Sequence, residues 1–390
     1  MKKILSLLAI CSSACVSVSQ QGGKDQSINS DVIPSSIDTR LKEAKKPFTY
    51  LRADKMKVLD GMEKDYLEME KQWKEIHEKL MSEGKRLSWS VWKPKDNNLE
   101  YDYVTVQTFD SLDSMDAPFD WKEIGQSIGA DKLESILNKT PKTRENVGSE
   151  IWKLEEWTAS TENILPDSLG IGFMTPTKGK DSKYAELEKK YFSKFWQEVA
   201  DVDENILGWQ FARLLFSNGK KVDYKYYTLH AKDSSKKSIS QKKRNEIWQK
   251  VNSDFPSDVK MNELRQMRGV EYELVFRADP SASAINQEWK KLQGSWKHTF
   301  EDGSYRIKRI SPYKEVLEIY SKDGVKKNQY ESPMKIEIKN GLKYFYSIHP
   351  NSTWRSIYNI KDGKWYEQLR GIFGETNANP NDFLIYEKID

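Results

Sequence analysis

The spacing of apolar residues predicts the first elements of residues 48–160. Apolar side chains recur at three- and four-residue steps from Tyr66 to Leu80, which is the periodicity of an amphipathic helix. A strand is predicted before this helix, over residues 48–58. After it, two stretches rich in β-branched and aromatic residues enclose the turn-prone segment 94–98, and they predict a β-hairpin.

The same unit continues with a second helix and a last strand. Asp120 can cap a helix that begins at Trp121 and carries apolar residues at helical spacing. Residues 150–157 form the predicted closing strand. The resulting order, β-α-β-β-α-β, is the split arrangement of ferredoxin-like folds.

This pattern occurs twice, which indicates a duplicated structural unit. Residues 48–160 form the first repeat and residues 161–280 the second, with the same order of predicted helices and strands. Equivalent positions in the two copies are Met56 and Met174, Tyr66 and Tyr184, Glu70 and Glu188, Trp89 and Trp209, and Tyr103 and Tyr226.

The pattern changes in residues 286–390. Helical periodicity stops, and short predicted strands alternate with turn signals such as Asp323-Gly324, Asn340-Gly341 and Asp362-Gly363. Many short strands with regular turns predict a small antiparallel barrel or sandwich.

The first residues predict export. Two lysines and a short apolar run give residues 1–19 the pattern of a signal peptide. Cys15 follows small residues in a way that fits lipidation, and cleavage by the ordinary signal peptidase is the alternative. Residues 20–47 are polar and lack aromatic side chains, as expected of a flexible tether. We therefore expect the protein in the cell envelope or outside the cell.

Composition narrows the classes of function. Charged residues make up 31% of the chain, but the formal net charge is +4 and the two signs are interleaved, so no basic stripe indicates nucleic-acid binding. Both cysteines, Cys11 and Cys15, lie in the predicted signal segment. A disulfide framework and a cysteine nucleophile are therefore not expected in the mature chain. No later apolar run is long enough to span a bilayer, so membrane contact is expected only through a lipid on Cys15.

Polar residues of the second repeat form the candidate ligand site. Tyr226, Thr228 and His230 alternate along one predicted strand, so they share a face. If that face lines a barrel, Arg213 from another strand can join them. Arg213 would supply a fixed positive charge and His230 a titratable donor to a ligand with an apolar body and an acidic end. The alternative is that these groups bond one another or face solvent.

Several motifs of the repeats resemble the dimeric α/β-barrel (ferredoxin-like) superfamily, in particular uncharacterised exported bacterial members. They are Trp73-Lys-Glu-Ile-His77, Gly84-Lys85, Trp89 and Tyr101-Asp-Tyr-Val-Thr105. The superfamily includes antibiotic-biosynthesis monooxygenases, NIPSNAP-like proteins and haem-handling chlorite-dismutase relatives. The resemblance covers residues 48–278. It implies an α+β fold in which the two repeats pair into one pseudo-dimeric α/β barrel inside a monomeric chain.

A second resemblance concerns the start of residues 286–390. The motif Leu292-Gln-Gly294-Ser-Trp296 is similar to the Gly-x-Trp start of lipocalins. It implies a lipocalin-like antiparallel β-barrel, in which Gly294 lets the first strand bend and Trp296 fills the closed end.

His77 is the candidate haem or metal ligand that the superfamily resemblance suggests. It lies at the edge of the apolar face of the first helix, and Phe195 stands at the equivalent position of the second repeat, which favours packing. No histidine pair has a metal-ligand spacing such as His-Glu-x-x-His, and no dinucleotide or nucleophile-elbow motif is present. The cofactor is therefore left open, with haem as the one candidate.

Three functions follow from these observations. The leading hypothesis is an exported binding protein, without enzymatic activity, for a small and partly apolar ligand. The first alternative is an oxidoreductase or monooxygenase of the barrel superfamily that uses haem. The second is an envelope scaffold that binds no ligand. Fold analogy underlies much of this, and a fold does not fix a function.

Overall fold

The structure, a computed structural model, consists of two closed β-barrels that follow one another along the chain. It describes residues 44, 46–96, 98–159, 165–219, 221–255, 267–339, 341–349, 353–370 and 383–390. The predicted signal peptide, Cys15 and nearly all of the predicted tether lie outside the described residues. No helix in the described ranges is long and apolar enough to cross a membrane.

The first barrel combines strands from both halves of residues 50–285. Its strands are β1 (Tyr50–Val58), β2 (Ser88–Pro94), β3 (Tyr103–Phe109), β4 (Arg144–Ala159), β5 (Ser168–Met174), β6 (Ile206–Asn218), β7 (Tyr226–Lys232) and β8 (Val270–Ile285). Around the barrel the order is β4-β1-β3-β2 and then β8-β5-β7-β6, and β6 pairs with β4 to close it. Each half therefore contributes four adjacent strands in the same order.

The register of the strands agrees between the two halves. The opposed pairs are Met56 with Tyr103 and Met174 with Tyr226, and Trp89 with Gln107 and Trp209 with His230. Residues at equivalent positions of the two sequence repeats are therefore paired with equivalent positions on the neighbouring strand.

Helices cover the outside of the first barrel. They are α1 (Glu63–Ser82), α2 (Leu112–Asp116), α3 (Trp121–Ile128), α4 (Ala130–Thr143), α5 (Asp181–Leu187), α6 (Ser193–Ala200) and α7 (Gln241–Val251). A π-helical turn, Glu188–Phe192, joins α5 to α6. The single helix predicted from Trp121 is two helices, because Gly129 at φ 99° ends α3 and starts α4. Asp120 caps α3 as predicted, since its carboxylate accepts from the Glu123 amide at 3.0 Å.

The sheet of the first barrel is buried on both faces. Inside, apolar residues from both halves form one core cluster that includes Leu51, Trp152 and Leu229. Outside, Tyr66 and Met69 of α1 pack on Trp89 and Tyr103. The equivalent cluster of the second half joins Tyr184 to Trp209, Phe211 and Tyr226. The strands therefore show little alternation between apolar and polar positions.

The second barrel is antiparallel, as the turn pattern predicted, and its closure makes it a barrel instead of the alternative sandwich. Helix α8 (Glu288–Leu292) precedes it. Its strands are β9 (Gly294–Thr299), β10 (Tyr305–Ser311), β11 (Lys314–Tyr320), β12 (Lys326–Lys339), β13 (Leu342–Ile348), β14 (Thr353–Lys361), β15 (Lys364–Arg370) and β16 (Leu384–Lys388). Trp296 is buried, and its Nε1 donates to the carbonyl of Leu292 at 2.7 Å.

The two barrels touch where α1 ends. Gly84 has φ 76°, and a Cβ at this position would lie 1.9 Å from the carbonyl oxygen of Ile338 in β12. The amide of Gly341 donates to the carbonyl of Glu83 at 3.5 Å. A side chain at Gly84 is therefore excluded both by the backbone conformation and by the neighbouring barrel.

Candidate functional site

A cavity of about 350 Å³ occupies the interior of the first barrel. Its walls are mainly aliphatic and aromatic side chains from strands of both halves. They include Leu51, Val104, Trp152, Phe173, Leu229 and Phe276. This volume and composition are those of a small-molecule site, because such sites are concave, mostly apolar and carry few polar groups.

Strand alternation decides which residues reach the cavity. On β7, Tyr227, Leu229 and Ala231 line it, whereas Tyr226 and Thr228 point to the other face. The lumen is hollow at this level because the wall contains small residues, such as Ala53 and Ala231, next to large ones.

Polar groups gather at one end of the cavity, which we call the Lys55 end. Lys55 Nζ donates to Glu150 Oε1 at 2.5 Å and to the Tyr224 hydroxyl at 3.2 Å. The Tyr224 hydroxyl donates to the same Glu150 oxygen, and Trp152 Nε1 donates to Glu150 Oε2 at 3.2 Å. Tyr101 also lines this end, with its ring 5.6 Å from Lys55 Nζ. Burial raises the pKa of the Tyr101 and Tyr224 hydroxyls, so both stay protonated donors at neutral pH.

The second barrel covers the opposite end of the cavity. Tyr313, Met334 and Ile336 line the cavity there, together with Asp110 and Trp289 of the preceding chain. Tyr313 has φ 59°, an uncommon conformation for a residue with a side chain, and its carbonyl accepts from the Met334 amide at 2.8 Å. The cavity is therefore completed by both barrels.

Asp110 is a carboxylate at this covered end. Burial raises its pKa, Glu337 of the second barrel raises it further, and the charges of Lys335, Lys339 and Lys46 oppose the rise. Charged groups of the second barrel thus act electrostatically on a residue of the first.

The four residues of the predicted ligand site lie together, but on the outer face of the barrel. Arg213 opposes Tyr226, and Thr228 and His230 follow along the same face of β7. Tyr226 stacks on Phe211 beneath the helices, at a ring distance of 5.1 Å. None of the four lines the cavity. The expectation that this more polar face looks into the lumen was wrong, because it lies under the helices, which bury Tyr226 and Thr228 and leave Arg213 half exposed.

The charges assigned to this predicted site also differ from expectation. Arg213 is half exposed and donates to Glu155 at 3.3 Å, so its charge already has a partner. Burial, together with the positive charges of Lys232 and Arg244, lowers the pKa of His230 to about 3. His230 is therefore neutral at physiological pH and packs edge-on against Trp196 at 4.2 Å.

His77 is buried between α1 and the sheet, outside the cavity. Its ring stacks on Trp89 at 3.8 Å, and its Nδ1 lies 2.9 Å from Arg86 Nη1, which donates to it. Burial, followed by the charge of Arg86, holds the pKa of His77 well below its usual range. Within the described residues, no cluster of three or more His, Cys, Asp and Glu side chains could hold a metal ion. These contacts fit the packing interpretation of His77.

The second barrel contains a buried cluster of charged side chains in its interior. Lys308 Nζ lies 2.8 Å from Glu367 and 3.1 Å from Glu315, and all three side chains are buried. The ammonium also lies over the rings of Phe345 and Trp365, at 4.7 and 4.8 Å. Burial raises the pKa of Glu367, but the charges of Lys308 and Arg306 outweigh it and hold that pKa below its ordinary value.

Sequence reasoning missed Lys55 and Glu150. Lys55 continues the alternation of Leu51 and Ala53 on β1, so a charged residue in phase with an apolar face was the available signal. Its partner Glu150 is 95 residues away in the sequence and could not be paired with it before the strand register was known.

Comparisons with known proteins give distant structural likenesses. No family model and no curated protein matches the chain. Among solved structures, a mutant chlorite dismutase from Candidatus Nitrospira defluvii is similar over 63% of this chain and 96% of its own, at 9% identity and a TM-score of 0.38. A proposed monooxygenase from Lactobacillus acidophilus covers 61% and 96%, at 11% identity and a TM-score of 0.37. A haem-binding protein from Thermus thermophilus covers 60% and 92%, at 10% identity and a TM-score of 0.33. Likenesses this distant decide neither the activity nor the ligand of this chain.

Proposed function

We propose that this protein binds a small, largely apolar molecule inside its first barrel. The observation that carries the proposal is the cavity of about 350 Å³, with mainly apolar walls between the Lys55 end and the polar residues at the end covered by the second barrel. Eight-stranded barrels have interiors wide enough either to be filled by side chains or to hold one small ligand. The interior of the first barrel is wide enough to hold one small ligand.

Filling the cavity tests this proposal. Ala53 faces the cavity, so Ala53→Phe should occupy the space with little change to the sheet. Binding is measured by the fluorescence of phenylnaphthylamine, an apolar dye that emits strongly when it leaves water. Wild-type protein should bind the dye, and Ala53→Phe should lose most of that binding. Ser182→Phe, which adds the same ring at an exposed position of α5, is the matched control and should bind as wild type does. Equal dye binding by all three proteins would refute the cavity as the site.

A haem-dependent oxidoreductase is the rival proposal, and the superfamily resemblance of the sequence motifs supports it. The residues present do not fit a histidine-ligated haem in the cavity, because none of the four histidines lines it. The absorbance spectrum of protein from its native host separates the proposals. A Soret band that disappears in His77→Ala would overturn the binding proposal. A spectrum with only the protein's own absorbance supports it. An envelope scaffold without ligand is the third candidate, and the dye titration tests it.

Export and the finer details of the fold belong to the same proposal. We infer an export signal within residues 1–19 that is cleaved before Cys15, and attachment through a lipid on Cys15. The alternative is cleavage near residue 19, which removes Cys15 and releases a free protein. Wild-type protein should then partition into detergent, and Cys15→Ser should release it into the aqueous phase. Two tandem ferredoxin-like units as a pseudo-dimeric barrel, followed by a lipocalin-like domain, describe the architecture we propose. Ligand contact by Arg213 or His230 stays a prediction, and their partners within the protein favour the cavity over them.

A further inference from the structure

The Lys55 end of the cavity offers donors and few acceptors. Glu150 accepts from Lys55 and Tyr224 with one oxygen and from Trp152 with the other. A lysine ammonium has three N–H donors, and within the described residues Lys55 uses two of them, on Glu150 and Tyr224. In the described part of the chain the third N–H of Lys55 has no hydrogen-bond partner, and Tyr101, which also lines the cavity, carries a second hydroxyl donor near this end. A bound molecule is therefore held more tightly when it presents an acceptor at this end.

The charge of Lys55 is already neutralised by Glu150. A carboxylate placed against Lys55 would leave one uncompensated negative charge among apolar side chains, and buried unpaired charge is strongly unfavourable. The other lysines that line the cavity, Lys46 and Lys335, lie at the end covered by the second barrel. A neutral acceptor receives the same hydrogen bonds without this penalty.

On the basis of the proposed ligand-binding function, we propose that the ligand is a neutral carbonyl compound with an apolar body. Ketones, quinones, esters and amides belong to this class. The carbonyl oxygen accepts from Lys55 and Tyr101, and the apolar body lies against Leu51, Val104 and Leu229 toward the second barrel. This differs from the acidic ligand that the sequence suggested, because the cation at this end of the cavity is Lys55, which is already paired with Glu150, and because Arg213 does not line the cavity.

Three probes with one ring system test the class of ligand. Acetylnaphthalene carries a neutral carbonyl, naphthoate carries a carboxylate, and ethylnaphthalene has no acceptor. Each is titrated into the full chain while tryptophan fluorescence is recorded, since Trp92 and Trp152 line the cavity. A hydrogen bond from a charged donor should make acetylnaphthalene bind about tenfold more tightly than the other two.

Variants at the Lys55 end locate the effect. Lys55→Met combined with Glu150→Gln removes the charged donor and keeps the end neutral. The advantage of acetylnaphthalene over ethylnaphthalene should then fall from about tenfold to about two- or threefold, which the neutral Tyr101 hydroxyl still supplies. Tyr101→Phe should reduce that advantage partly and leave the ion pair intact. Lys57→Met, at an exposed position two residues further along β1, is the matched control and should preserve the wild-type ranking of probes.

The outcomes separate this inference from the function on which it rests. Equal binding of acetylnaphthalene and ethylnaphthalene, or tighter binding of naphthoate, overturns the carbonyl class while the cavity remains a binding site. If none of the three probes binds wild-type protein, the ligand-binding function itself is refuted. Should the double variant not fold, the ranking in wild type and in Tyr101→Phe decides the matter.

Discussion

Glu188 should make the stability of this protein fall as pH rises toward neutrality. The side chain lies in the π-helical turn and is only 1% exposed. Burial raises its pKa from 4.5 to about 7, although the charge of Arg268 and a hydrogen bond from Tyr184 oppose the rise. The equivalent Glu70 has an ion pair with Arg144 at 3.0 Å and is likewise raised in pKa by burial. Both halves of the barrel therefore bury a glutamate under a helix.

The size of the effect follows from linkage. The folded protein holds the Glu188 proton more tightly than the unfolded chain does, so its contribution is fully present below pH 4.5 and is lost as pH rises through about 7. One pKa unit corresponds to about 1.4 kcal/mol, so this single group should lower the free energy of unfolding by about 3 kcal/mol across that interval. Glu188→Gln cannot ionise and should escape this loss.

Urea denaturation of the full chain between about pH 4.5 and pH 8 measures the difference. Glu188→Gln should match wild type at the acidic limit and exceed its stability by about 2–3 kcal/mol at the alkaline limit. Glu186→Gln, at an exposed position of the same helical segment, should change little at any pH. A gain in Glu188→Gln that does not depend on pH, or a loss of stability at pH 8, would contradict the reasoning.

Two further substitutions probe the second barrel and its contact with the first. Lys308→Met leaves two buried carboxylates without the ammonium that bonds both, so it should lower the free energy of unfolding in urea by about 3–5 kcal/mol. Lys314→Met breaks an exposed pair and should lower it by less than about 1 kcal/mol. Equal losses of stability would refute the burial argument. Gly84→Ala should cost more than Gly61→Ala in thermal unfolding. Both glycines have φ near 75°, but only a Cβ at Gly84 would clash with the Ile338 carbonyl. Equal decreases in Tm would show that the second barrel can move away from the added methyl group without a loss of stability.

Periodicity along the chain was enough to predict most strands and the long helices, because each has its own local pattern, but it did not predict α2 or the break at Gly129. The amphipathic α1, the capped α3 and the closed antiparallel second barrel follow from spacing and turn residues. The interior face of the first barrel did not follow, because Tyr226 and His230 are buried under helices while Tyr227 and Leu229 are buried in the lumen. When both faces of a strand are buried, polarity no longer tells inside from outside. The Lys55–Glu150 pair depends on strand register, which no local pattern contains.

The two barrels have the same number of strands but use their interiors differently. In the second, large rings such as Trp296 and Trp365 pack around Lys308, whose charge is balanced by two buried glutamates. An apolar ligand that displaced this ion cluster would leave buried charges unpaired, which is unfavourable. In the first, small residues such as Ala53 leave the lumen open, and the charged pair stands at one end, where it can hold an acceptor without being displaced. Side-chain size and charge placement, and not strand number, therefore favour the first barrel as the place of the proposed ligand, with the second barrel against one end of its cavity.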